Sequence, residues 1–334
     1  KKSVALDLKY PEGAEALRRL IRTADVLIEN FATGVMKRLG LDYEAIRQIR
    51  PSIVYCSVSA YGKNTEFANR PGFDSVVQAE SGFVSMNGHG DRDGVRSASS
   101  VMDIATALFA SNAVLAALVR RQVSGDGCHV EVPLFGSALS MTGYAAMQTL
   151  CRGTSPERHG NTSPDSCPTG VFRCRDASFF LHCGNSEIFA RLFRDVVERD
   201  DIAASAEYKT GPDRLRHREK LFEILEPFFL GLDWDELKSK LSRARIPAGK
   251  VRDLKGALLS GEAKALGLVA KLAHPQLGWV PNIQSPMLFD GRLTGATKAA
   301  PMRGQDTWTV LKELAGYSET DIDRARQSGA FDRR

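Results

Sequence analysis

One stretch of the sequence has the composition and spacing of a long apolar helix: Asp103-Ile-Ala-Thr-Ala-Leu-Phe-Ala-Ser-Asn-Ala-Val-Leu-Ala-Ala-Leu-Val-Arg-Arg121. Residues of one face recur along it at steps of three and four: Ile104, Leu108, Ser111, Leu115 and Leu118. This period predicts an amphipathic helix that turns the face towards a core.

Asp103 is the first residue of this predicted helix. Backbone N–H groups without an intrahelical partner and the helix dipole converge at that end, which favours an ionised carboxylate by about 0.3–1 kcal/mol. A fixed, ionised carboxylate can act as a nucleophile or as a base. Asp is also among the best N-cap residues, so a structural role is the alternative interpretation.

Apolar strand patterns flank the helix, at residues 52–58 before it and at 128–132 after it. With a further strand at 25–30 and helical segments beginning at residues 11 and 43, they predict an α/β fold with a parallel sheet. We therefore expect a Rossmann-like large domain over residues 1–150. Ligands of such sheets bind beyond the carboxyl ends of the strands, where the loops at 30–34 and 60–63 lie.

The start of the chain has no Met and passes directly into an alternation of Val4, Leu6 and Leu8 that is typical of a strand. We expect that a segment preceding this strand is missing.

The composition changes after residue 150. Residues 151–168 are rich in Gly, Ser, Thr, Asn, Asp and Pro, which predicts a linker. Strand and helix patterns over 169–265 predict a smaller α+β domain, and the Pro-rich segment 266–334 ends in two helices and is expected to return to the large domain. GxGxxG, GxxxxGK[ST] and GxSxG motifs are absent from the sequence, which weakens dinucleotide, P-loop and serine-hydrolase interpretations.

The overall composition, 43% hydrophobic and 25% charged among 334 residues, is that of an ordinary globular protein. The net charge of +5 comes from interleaved charges, so nucleic acid is not an expected partner. No run of 18 apolar residues and no secretory leader are evident, and we expect no membrane association.

Six cysteines form no CxxC pair. Cys167 and Cys174 with His159 and His182 match the spacing of no common zinc site, so no metal is expected. Free thiols suit a reducing compartment and predict a cytoplasmic protein.

Motifs along nearly the whole chain resemble those of the family III CoA-transferases, the CaiB/BaiF-like group that includes formyl-CoA and carnitine-CoA transferases. The segments that carry the resemblance are Lys2-Ser-Val-Ala-Leu-Asp-Leu-Lys9, Ala24-Asp-Val-Leu-Ile-Glu-Asn-Phe31, Arg38-Leu-Gly-Leu41, Ile53-Val-Tyr-Cys-Ser-Val58, Tyr61-Gly62, Arg70-Pro-Gly-Phe-Asp74, Gln78-Ala-Glu-Ser-Gly82, Asp103-Ile104, Gly125-Asp-Gly127, Gly160-Asn161 and Gly184-Asn185.

The resemblance implies that Asp103 is the catalytic nucleophile. In the family the Asp attacks an acyl-CoA thioester to give a mixed anhydride, CoA then displaces the acyl group to give an aspartyl-CoA thioester, and an incoming carboxylic acid reverses the sequence. The resemblance also implies an interlocked homodimer. Coenzyme A is a substrate in this chemistry, and no cofactor is expected.

The CoA contacts of the family fall on one set of residues of this chain: Leu6, Lys9, Asn30, Phe31, Ala32, Arg38, Phe73 and Asp74. Arg38 and Lys9 suit the phosphates of CoA, and Phe31 suits its adenine or its pantetheine arm. The family's opening strand–loop–helix and the glycine-rich loop of formyl-CoA transferases have no counterpart here, so formyl and oxalyl substrates are not expected.

Two other functions compete with CoA transfer. The resemblance extends to α-methylacyl-CoA racemases, but their Gly-His-Asp turn reads Gly72-Phe73-Asp74 here, and Phe cannot exchange a proton; His89 does not match that position. The other alternative is a non-catalytic CoA-binding protein.

A small dicarboxylate such as succinate is the expected acyl group. Arg158 would supply a positive charge for its second carboxylate, Asn161 a hydrogen bond, and His159 lies beside them. A solvated loop is the alternative interpretation of these three residues.

Overall fold

The strands predicted in the first third of the chain form a three-stranded parallel sheet in the computed structural model, which describes residues 1–331. Its strands, in spatial order, are β1 (Val26–Glu29), β2 (Val54–Ser59) and β3 (Cys128–Pro133). Val54 of the central strand pairs with Val26 on one side and with Cys128 on the other. The predicted α/β fold with a parallel sheet is confirmed.

Helices separate the three strands of the parallel sheet and recur along the rest of the described chain. In chain order they are α1 (Pro11–Thr23), α2 (Val35–Arg38), α3 (Tyr43–Ile49), α4 (Asp74–Glu80), α5 (Phe83–Met86), α6 (Val101–Ser124), α7 (Leu134–Met141), α8 (Tyr144–Arg152), α9 (Ser186–Arg191), α10 (Asp200–Ala203), α11 (Gly211–Arg216), α12 (Arg218–Leu230), α13 (Trp234–Arg243), α14 (Leu254–Leu258), α15 (Gly261–Ala265), α16 (Thr307–Ala315) and α17 (Glu319–Ser328).

Helix α6 packs on the sheet through small side chains. Ala110, Val114 and Ala117 are buried in one hydrophobic cluster with Val54 and Cys56 of β2. The face predicted from the spacing is not the buried one: the exposed fractions of Ile104, Leu108 and Leu115 are 57%, 62% and 57%. The prediction is wrong because apolar residues surround this helix, and the face of smaller residues fits closely against the strands.

Helix α6 is also long and apolar enough to cross a membrane by length and composition alone, with a mean hydropathy of 1.7 in its most apolar window. A core helix satisfies the same criterion, and 33% of that window is buried in the protein. The expectation of no membrane association therefore stays a prediction.

The chain forms two units, which are described separately. The first contains Lys1–Met86, Gly94–Pro156 and the chain from Lys298 onwards; the second contains Asn87–Asp93 and Glu157–Thr297. The C-terminal segment of the first unit thus begins at Lys298 rather than at residue 266, because two β-hairpins that precede Lys298 belong to the second unit.

The second unit is an α+β assembly. An antiparallel sheet of β4 (Gly170–Arg173), β5 (Ser178–Leu181) and β6 (Ala248–Lys250) packs through Phe172 and Phe179 against Phe229 of α12. The predicted irregular segment instead contains two hairpins, β7 (Val269–His274) with β8 (Gly278–Ile283) and β9 (Leu288–Phe289) with β10 (Arg292–Leu293).

Residues 4–8 do not form the predicted strand. Leu6 makes an isolated bridge with Phe331 and packs on a cluster that includes Ala16 of α1 and Leu311 of α16. These apolar contacts with the C-terminal helices replace pairing with the sheet.

Candidate active site

A cavity of about 940 Å³ lies at the carboxyl ends of β1 and β2, where the sequence predicts a ligand site. Residues from the strand ends, the two following loops, the N-terminal half of α6 and the start of α7 line it: Ile28, Asn30, Phe31, Ala32, Thr33, Val58, Ser59, Ala60, Ala68, Asn69, Arg70, Pro71, Gly72, Phe73, Asp103, Thr106, Ala107, Ala110, Ser111, Val114, Leu115 and Leu134.

Asp103 lines this cavity and is exposed. It is the third residue of α6, whose N-cap is Ser100. Asp103 is therefore not the helix cap, and the structural alternative considered from the sequence does not apply.

Asp74 supplies the hydrogen bonds that a cap would otherwise make. Its Oδ2 accepts from the backbone N–H of Met102 (2.8 Å) and of Asp103 (3.1 Å). Its Oδ1 accepts from the Nε2 amide of Gln78, which is fully buried, and Oε1 of Gln78 accepts from the N–H of Ser97 at 2.8 Å. This chain of hydrogen bonds connects α4 to the first turn of α6 and fixes the backbone of Asp103.

The pKa of Asp103 is raised above its usual value, first by partial desolvation of the carboxyl group and then by the negative charge of Asp74. The direction is opposite to the one expected from the helix dipole. The physical reason is first that the carboxyl group of Asp103 is partly desolvated. In addition, Asp74 occupies the N–H groups of Met102 and Asp103, and its charge opposes ionisation of Asp103.

The structure places four of the eight predicted CoA contacts on the cavity: Asn30, Phe31, Ala32 and Phe73. The aromatic side chains are open to a ligand, since Phe31 is 50% and Phe73 75% exposed.

The other four predicted contacts do not line the cavity. Leu6 is held in the cluster with the C-terminal helices, and both oxygens of Asp74 bind protein groups. Lys9 is exposed and its N–H binds the carboxylate of Asp7. Arg38 is exposed at the end of α2, beside Gly34.

A buried ion pair holds the two loops of the cavity together. The Glu29 side chain, 3% exposed, accepts from the Nζ of Lys63 and from the N–H of Phe31, the latter at 3.0 Å. The N–H of Lys63 binds Glu131 of β3, and Thr33 donates to the carbonyl of Ala68. The loop after β1 and the loop after β2 are therefore fixed to each other beneath the ligand site.

Arg70 lines the cavity although no role was predicted for it, and it begins the motif Arg70-Pro-Gly-Phe-Asp74. Its guanidinium pairs with Glu80 and lies 4.8 Å from the ring centroid of Tyr61. The signal in the sequence was a cation directly before the turn Pro71-Gly72-Phe73-Asp74.

Arg158, His159 and Asn161 belong to the second unit. Nε of Arg158 donates to the carbonyl of His89 (3.2 Å), and Nη2 donates to that of Arg92 (2.7 Å). The guanidinium thus braces the segment 89–92, which accounts for Arg158 without a bound carboxylate.

The sequence profile of CoA-transferase family III matches residues 1–307 of this chain. The succinate–glutarate CoA-transferase of Agrobacterium fabrum is 30% identical over 320 residues, which cover 96% of this chain and 80% of that protein. The human succinyl-CoA:glutarate CoA-transferase is 28% identical over 336 residues, covering 99% and 76%. A crystal structure of a CaiB/BaiF family protein from Brucella suis has 30% identity and a TM-score of 0.83 over 94% of this chain and 82% of that chain.

These matches confirm the resemblance inferred from the motifs. The chain belongs to CoA-transferase family III.

Proposed function

We propose that this enzyme moves CoA from an acyl-CoA to a small dicarboxylate, with Asp103 as the nucleophile. The observation that carries the proposal is the position of Asp103. Its carboxylate lines a 940 Å³ cavity at the carboxyl ends of the strands, on a backbone fixed by Asp74.

The chemistry begins with attack of an Asp103 carboxylate oxygen on the thioester carbonyl carbon. A C–O bond forms and the C–S bond breaks, so CoA leaves as a thiolate and an anhydride remains. The thiolate then attacks the Asp103 carbonyl carbon of the anhydride and expels the acyl group as a carboxylate. The acceptor carboxylate attacks the resulting aspartyl-CoA thioester, and the same two steps in reverse release the new acyl-CoA and free Asp103.

Two features of the cavity suit these steps. The carboxylate of Asp103, with its raised pKa, is a more basic nucleophile than an ordinary Asp once it is ionised. Apolar lining residues such as Val58, Phe73 and Leu134 offer an apolar surface to the acyl-CoA beside Asp103. The N–H groups of Met102 and Asp103 are occupied by Asp74 and are not counted as oxyanion donors.

The substrate class is supported by the relatives. The two curated relatives described above are named for succinate and glutarate, which are both dicarboxylates.

We also propose a homodimer. Large apolar side chains of α6 and α8 lie exposed in the single chain: Ile104, Leu108, Leu115, Val119, Val123, Tyr144, Met147 and Leu150. An apolar surface of this extent marks an interaction site, and a second copy of this chain is the partner that we propose for it.

Exchange of CoA between succinyl-CoA and glutarate, followed by mass spectrometry of the CoA esters, tests the activity. Formation of glutaryl-CoA supports the proposal. Deuterium exchange at the α-carbon of a 2-methylacyl-CoA without CoA transfer would instead indicate a racemase.

A further inference from the structure

Arg70 and Asp103 are the two ionisable side chains among the described residues that line the cavity. Every other lining residue is apolar or neutral, so the cavity offers one positive group and one negative group. If Asp103 is the nucleophile, as the proposed function requires, the positive group remains to be assigned.

The guanidinium of Arg70 is held in a defined place. Oε1 of Glu80 accepts a hydrogen bond from the guanidinium of Arg70. Oε2 of Glu80 accepts a hydrogen bond from the hydroxyl of Tyr61 at 2.7 Å. The ring of Tyr61 lies against the guanidinium, with 4.8 Å between its centroid and the arginine Cζ. Because an arginine has five N–H donors and one glutamate oxygen engages it here, donors remain for a second carboxylate.

The position of Arg70 suits the acyl end of the substrate. Three residues separate Arg70 from Asp74, so their Cα atoms lie within about 14 Å even if the segment is fully extended. Asp74 in turn binds the N–H of Asp103. The part of the substrate that lies near Asp103 is the thioester with its acyl chain, so a group near Asp103 and Arg70 belongs to the acyl end. The phosphates of CoA lie at the far end of the pantetheine arm.

The net charge of the Arg70–Glu80 pair also favours a site for the acyl group rather than for the CoA phosphates. Glu80 offsets the charge of Arg70, so the pair as a whole is neutral. A neutral pair with free N–H donors suits one carboxylate better than the several charges of the CoA phosphates.

We propose that Arg70 is the specificity-determining residue that binds the second carboxylate of the dicarboxylic acyl group. This assignment rests on the proposed function, since it takes Asp103 as the point of attack. Glu80 and Tyr61 are its positioning residues.

The test compares two substrates that differ in the second carboxylate, glutaryl-CoA and pentanoyl-CoA. The rate of CoA transfer onto Asp103 is measured by rapid quenching for the wild type and for Arg70→Met, Arg70→Lys and Arg47→Met. Arg47 is an exposed residue of α3 and serves as the matched control. Binding of free CoA is measured for each variant by calorimetry.

Arg70→Met should slow the reaction of glutaryl-CoA about ten- to a hundredfold, the effect of losing a charge-assisted hydrogen bond, and leave pentanoyl-CoA and free CoA unchanged. With glutaryl-CoA, Arg70→Lys should react at a rate between those of the wild type and of Arg70→Met, since lysine keeps the positive charge but lacks the planar guanidinium with its paired donors. Arg47→Met should behave as the wild type.

An equal loss for both substrates, weaker binding of free CoA by Arg70→Met, or no loss at all would overturn the assignment. In those cases transfer onto Asp103 in the wild type would still support the proposed function. If the wild type shows no transfer onto Asp103 from either substrate, the proposed function itself fails.

Discussion

Asp103 and Asp74 place two carboxylates at the start of one helix, with different tasks. Asp74 binds the N–H groups of Met102 and Asp103, and the side chain of Asp103 is left facing the cavity. Partial desolvation and then the charge of Asp74 raise the pKa of Asp103. The pair therefore combines a fixed backbone with a more basic nucleophile.

Replacing Asp74 tests this division. The reaction needs ionised Asp103, so kcat/KM falls as the pH drops through the raised pKa of Asp103. Asp74→Asn removes the negative charge but keeps an oxygen for the two N–H groups. We expect the acid limb of the kcat/KM–pH profile to move to lower pH. Thermal stability should fall less than in a variant that also removes the acceptor, since only the hydrogen bond from the buried Nε2 amide of Gln78 is lost.

Asp74→Ala is the matched comparison, because it also removes the acceptor. It should cost about 0.5–2 kcal/mol of stability, the usual effect of losing a helix cap. An acid limb that stays in place in Asp74→Asn would show that the charge of Asp74 does not act on Asp103.

At the scale of the elements, the Glu29–Lys63 ion pair holds together the two loops at the carboxyl ends of β1 and β2. A buried glutamate that loses its cation costs about 3–5 kcal/mol. Lys63→Met should therefore lower the melting temperature and raise the KM for acyl-CoA, because Phe31 and its neighbours are released. The rate of transfer onto Asp103 at saturating acyl-CoA should change little.

The double variant Glu29→Gln/Lys63→Met separates charge from packing. It should recover much of the lost stability, since no unpaired charge is left buried. If the single variant is as stable as the wild type, the pair does not hold the loops.

The elements also show how far the sequence predicts the structure. The alternation of strands and helices predicts the parallel sheet and the site at its carboxyl edge, because both follow from local periods. The buried face of α6 was not predictable in the same way, since Ile104 and Leu108 have the correct spacing and are exposed. The hydrogen bond from α6 to Asp74 was also missed, because it joins a backbone N–H to a side chain 29 positions away, and no local pattern marks that pairing.

For the whole molecule, the exposed apolar side chains of α6 and α8 predict association. Light scattering of the protein should give about twice the 36.5 kDa mass of one chain. Val119→Glu places a charge on this surface, away from the residues that line the cavity, and should weaken the dimer. A stable monomer of the wild type would contradict the proposed homodimer.

Covalent chemistry at Asp103 is the centre of the account, and one mass-spectrometric measurement tests it most directly. The protein is incubated with succinyl-CoA, treated with hydroxylamine or borohydride, digested and mapped. The expected result is a mass change on the peptide that contains Asp103, localised to that residue and absent from Asp103→Asn, which should also lose CoA transfer. An unmodified Asp103 during continued turnover, or near wild-type turnover by Asp103→Asn, would contradict the account.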